Sequence, residues 1–68
     1  MHKMLDIYQL LKQYGTFVYT GDRLGDLQLI EDEVKELYRA NALDIKDYQM
    51  ALLVIRQEAQ RIKAESRL

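Results

Sequence analysis

Lys12, Tyr14, Phe17, Tyr19 and Arg23 fall within twelve positions, so that aromatic rings alternate with polar residues and two cations flank them. Single-stranded nucleic acid asks for this combination, because every base offers a π-face for stacking and every nucleotide a phosphate for a cation. A second basic element, Arg56, Lys63 and Arg67, shares one side of a helical wheel with Gln49 and Gln60. It suits either phosphate contact or a solvated face whose aliphatic stems shield the core. The rings are ambiguous too. In a chain without Trp, Phe17 and at least two tyrosines are expected to supply core volume.

Catalytic chemistry is poorly supplied. A nucleophilic triad needs an activated Ser, Cys or Thr beside a positioned base, yet the chain has no Cys, one Ser at position 66 near a terminal end, and one His at position 2. The run Glu31-Asp32-Glu33 reads as a solvated helix face, since sequence neighbours on a helix point in different directions. Asp22 and Asp26 are one turn apart and could touch a divalent cation, but carboxylates beside a helix start more simply serve the cap. Gly15, Gly21 and Gly25 match neither a P-loop nor a dinucleotide fingerprint. The sequence therefore predicts no enzyme, cofactor, metal site or small-molecule substrate.

The elements that must position these residues come from a chain of 68, with ten Lys plus Arg against eleven Asp plus Glu. That length allows one small domain, and without Cys neither a disulfide nor a thiolate metal site can staple it. At 49% apolar and 31% charged the composition is that of a globular chain. The longest apolar run, Ala51 to Ile55, is far short of a bilayer span, and the first residues lack a signal-peptide pattern. A cytoplasmic location is expected. The formal net charge of −1 hides an acidic centre, from Asp22 to Asp47, between two mildly basic flanks.

Three stretches carry a helical apolar period, which predicts an all-α, compact three-helix bundle in a single domain. The first helix, about 3–14, shows Met4, Ile7, Tyr8, Leu11 and Tyr14 on one face, and Gly15 suits a left-handed cap. The second, about 22–41, shows Leu27, Ile30, Val34, Leu37 and Tyr38, with Asp22 as a candidate cap and Asn41 as terminator. Gly25 in its first turns weakens that beginning. The third, about 44–66, starts at Asp44 with Asp47 as a weak capping-box partner and Leu43 with Tyr48 at hydrophobic-staple spacing. Its stripe is Tyr48, Ala51, Leu52, Ile55, Ala59 and Ile62. Met50, Leu53 and Val54 lie off that stripe, so this helix is either packed on two sides or carries a patch for a second copy or another protein. Between the first two helices, the short aromatic stretch from Gly15 to Gly21 predicts an extended or turn segment with side chains alternating inward and outward.

The blocks Leu10-Leu11-Lys12-x-Tyr14-Gly15, Tyr19-x-Gly21-Asp22-Arg23, Glu36-Leu37-Tyr38, and Ala51 followed by Arg56-x-Glu58 resemble the YqgQ-like family of small cytoplasmic proteins from Gram-positive bacteria. The likeness runs from about Met4 to Glu58. It implies a three-helix bundle and binding of single-stranded nucleic acid, with no settled site residues to carry over. The expectation from residues and resemblance together is weak, largely sequence-independent binding of single-stranded RNA or DNA. Tyr14 and Tyr19 are the stacking candidates, Lys12 and Arg23 the phosphate contacts, and Arg56 and Lys63 an extension. The alternative is a protein interaction module, a homo-oligomer among its forms, built on Met50, Leu53 and Val54.

Overall fold

A computed structural model describes residues 3–66 of the chain. Arg67 and His2, named above, lie outside the described residues. Three helices follow one another: α1 (Met4–Gln13), α2 (Arg23–Arg39) and α3 (Ile45–Ser66). Among the described residues there is no strand, and no helix is long and apolar enough to cross a membrane. The all-α three-helix architecture expected from periodicity is the one observed.

Helix ends follow local chemistry. Asp6 opens α1 by accepting the Lys3 backbone N–H on its carboxylate at 3.1 Å. At the other end Gly15 takes a left-handed backbone, φ +74°, and the Gly15 and Thr16 N–H groups donate to the Lys12 and Leu11 carbonyls. The end of α2 repeats this arrangement with Asn41 at φ +59°, where the Asn41 and Ala42 N–H groups donate to Tyr38 and Leu37. Asp44 caps α3, accepting the Asp47 N–H at 2.8 Å, and the predicted staple residues Leu43 and Tyr48 both pack on the core. Asp22 departs from expectation. It occupies the N-cap position of α2 in extended conformation, but its carboxylate makes no cap hydrogen bond.

The core is built where α3 meets both partners. Ile7 and Leu11 come from α1, Leu27, Ile30 and Val34 from α2, and Ala51, Val54 and Ile55 from α3. Helix α1 has ten residues, below the ~12–15 at which an isolated helix becomes marginal, so its stability depends on this packing. Helix α3 packs on both α1 and α2 and runs on through Ser66; at about 1.5 Å per residue its 22 residues set much of the 40 Å long dimension.

Two expectations about packing are corrected. Val54, placed off the stripe as a patch residue with Met50 and Leu53, is 7% exposed and belongs to the core. The physical reason is that a helix with two partners buries a wider arc than one apolar stripe. Met50 is half-buried and Leu53 exposed. Phe17, a residue whose ring the sequence assigns to core volume, is 76% exposed, and Tyr19, a stacking candidate, is 89% exposed. Aliphatic side chains fill the interior instead, and Tyr8 and Tyr14 stand exposed at the edge of α1.

Candidate nucleic-acid interface

The connection from Thr16 to Thr20 has no regular hydrogen-bonded structure, and its side chains alternate as predicted. Val18 packs against the core while Phe17 and Tyr19 point outward. Asp26, 6% exposed, fixes the end of this segment. Its Oδ1 accepts the Thr20 backbone N–H at 2.8 Å and the Thr20 hydroxyl at 2.5 Å, which satisfies one oxygen of a carboxylate that burial would otherwise penalise. Its place near the start of α2 favours negative charge as well. The pairing of Asp22 with Asp26 considered from sequence is thus replaced by Asp26 with Thr20.

Three surface features meet around Tyr19. A groove of about 510 Å³ is lined by Met4, Tyr8, Tyr19, Gly21, Arg23, Asp26, Leu27, Glu58 and Ile62. Beside it, a depression of about 380 Å³ includes Leu5, Tyr8, Lys12, Phe17 and Tyr19. On the far side of the connection, Phe17 and Tyr19 share a third hollow with Leu29, Asp32 and Glu33. Tyr8 and Tyr19 therefore border a surface with Lys12 on one side and Arg23 on the other, whereas Asp32 and Glu33 of α2 share the hollow with Phe17.

Of the residues singled out from sequence, Lys12, Tyr19 and Arg23 are brought together around these two adjoining hollows. Tyr14, the C-cap of α1, is half exposed and lines none of the hollows just described. Arg56 and Lys63 line a separate groove of about 220 Å³ between α2 and α3, with Leu24, Leu27, Gln28 and Glu31. Leu27 borders both grooves, so the first turns of α2 divide the two cationic regions. Tyr8 was missed as a surface residue because it falls on the apolar stripe of α1. Its three-residue spacing from Leu5, also exposed, is the signal that this flank of the helix carries large side chains as well.

The electrostatics sort the cations. Among the described residues Lys12, Arg56 and Lys63 have no carboxylate partner, while Lys35 pairs with Glu31 and Arg39 with Glu36. Arg23 donates to Glu58 across the α2–α3 interface at 3.2 Å. Glu58 also holds Arg61, which reaches on to Glu65 at 2.5 Å. The hydrogen bond from Arg61 holds the Glu58 carboxyl below its usual value, outweighing the upward push of desolvation, and the charges of Arg61 and Arg23 act in the same downward direction. The bond to Glu58 raises Arg61 in return. No group of three or more metal-ligating side chains is gathered among the described residues.

Beside the exposed rings of this small helical bundle stand Lys12, without a carboxylate partner among the described residues, and Arg23, held by Glu58. The YqgQ-like family matches residues 1–61 of the chain. The chain is also similar to the uncharacterized protein YqgQ of Bacillus subtilis (strain 168), with 36% identity over 63 residues covering 93% of this chain and 89% of that protein. It belongs to the YqgQ-like family.

Proposed function

We infer that the protein binds single-stranded RNA or DNA, weakly and with little dependence on sequence, through the surface around Tyr8 and Tyr19. The observation that supports this reading is the exposure of Tyr8, Tyr14, Phe17 and Tyr19, at 45%, 51%, 76% and 89%. Large rings left in water by a small domain with a scarce core are available to bases, each stack being worth about 1–3 kcal/mol. Lys12 and Arg23 on either side supply phosphate contacts. The acidic hollow containing Asp32 and Glu33 disfavours a polyanion on that side of the connection and leaves it the side bordered by Lys12 and Arg23.

Fluorescence anisotropy with labelled single-stranded oligonucleotides at low and moderate salt is the direct test. Absence of binding at tens of micromolar protein in low salt overturns the reading. The salt dependence also counts the contacts. A log–log slope near about −1.4 corresponds to Lys12 and Arg23 alone, and one near about −2.8 to a track that includes Arg56 and Lys63.

The alternative of a protein interaction module built on Met50, Leu53 and Val54 is not favoured by the geometry, since Val54 is in the core and Met50 half-buried.

A further inference from the structure

We propose that the groove bordered by Tyr8, Tyr19, Arg23 and Asp26 is a base-reading subsite for one unpaired nucleotide, favouring bases that carry an exocyclic amino group. The inference rests on the single-strand reading above and adds a selectivity to it.

The groove has the parts a base requires. Its volume of about 510 Å³ lies in the range of small-ligand sites. Met4, Leu27 and Ile62 give it apolar surface, Tyr8 and Tyr19 give it rings, and Arg23 places a cation within reach of a phosphate. The polar group inside is unusual. Asp26 is 6% exposed and still borders the groove. Both hydrogen bonds from Thr20 fall on its Oδ1, and among the described residues Oδ2 has no partner. A carboxylate oxygen without a partner accepts a hydrogen bond, so a base stacked in the groove is rewarded for turning an N–H toward Oδ2. Cytosine, adenine and guanine offer an exocyclic amine. Uracil places a carbonyl oxygen where cytosine has that amine, and its one donor on this edge, the N3–H, is flanked by two carbonyl oxygens that a carboxylate repels. Glu58, the other carboxylate of the groove, does not compete for the base, because Arg23 and Arg61 already engage it.

Anisotropy with the full chain and labelled oligocytidylate or oligouridylate of about 12 nucleotides tests this at neutral pH. These probes differ only at the pairing edge. Binding of the cytidine strand about 5- to 10-fold tighter is expected, the scale of one well-formed base contact. Asp26→Asn keeps an Oδ1 acceptor for Thr20 and replaces Oδ2 with an amide donor, so the preference turns toward uridine. Far-UV circular dichroism confirms that the variant is folded, and the wild-type comparison needs no variant. Competition by cytidine monophosphate as effective as that by the oligomer, and better than by uridine monophosphate, identifies a free nucleotide as the ligand; tighter binding of the oligomer identifies a strand. Equal affinity for the two homopolymers overturns the subsite while leaving single-strand binding intact, and failure of both to bind overturns both.

Discussion

Glu58 of α3 binds the guanidinium of Arg23 at 3.2 Å across 35 positions of sequence, and it does so while already engaged by Arg61. The cation best placed beside the exposed rings is thus held by a carboxylate that has a second partner. Arg23 can leave for a phosphate without stranding Glu58.

Glu58→Gln is therefore expected to strengthen binding of single-stranded oligonucleotides. An exposed ion pair is worth about 0.2–1 kcal/mol, so releasing Arg23 raises affinity by about 1.5- to 5-fold. Anisotropy of the variant against wild type checks this, and an unchanged or weaker affinity counts against Arg23 as a phosphate contact.

The same carboxylate gives a pH dependence whose sign follows from its depressed value. Glu58 stabilises the fold fully above its ordinary value near 4.5, and that contribution disappears as pH falls through the lower value it has in the folded protein. Urea unfolding of wild type and Glu58→Gln at neutral pH and at about pH 3 should show the gap between them closing in acid.

Tyr19 and Phe17 separate binding from folding. With most of each ring in water, Tyr19→Ala and Phe17→Ala are expected to change stability by about 0.5 kcal/mol or less. Tyr19→Ala should weaken oligonucleotide binding by about 1–3 kcal/mol. Thermal denaturation alongside anisotropy distinguishes this from a packing role, in which stability would fall first.

Ile30→Ala acts in the opposite sense. Ile30 is fully buried at the centre of α2, and its truncation is expected to cost about 2–5 kcal/mol. In so small a domain that is enough to unfold much of the population, which far-UV circular dichroism will register.

Asn41→Gly should stabilise the protein. Asn41 holds φ +59° at the end of α2 and is exposed, so glycine relieves the left-handed backbone by about 0.5–1 kcal/mol without removing a buried group. A higher urea midpoint is the expected result.

The helices were legible because their ends are written in single residues: Gly15 as a left-handed cap and Asp44 as an N-cap do in the structure what their types suggest. Asp22 shows the limit, since a capping residue in the right place makes no cap bond. Val54 was misplaced because a wheel describes one helix and cannot say how many neighbours surround it. Phe17 and Tyr8 were misjudged for a related reason, because periodicity marks a side of the chain but not how far the partner helix extends over it. Lys12, Tyr19 and Arg23 gather much as their spacing suggests, whereas Arg23 with Glu58 is a long-range pairing that no local pattern encodes. Thr20 with Asp26 is not legible from spacing, because the one-turn neighbour of Asp26 in sequence is Asp22.

Tyr38 and Tyr48 stack face to face, with ring centroids 4.2 Å apart and planes 2° from parallel, where α2 turns into α3. The chain has five tyrosines and no Trp, so its near-ultraviolet signal divides by position. The coupled pair reports optically on whether that corner is closed, while Tyr8, Tyr14 and Tyr19 report on what approaches the surface. A single unlabelled sample therefore carries separate spectroscopic channels for folding and for occupancy.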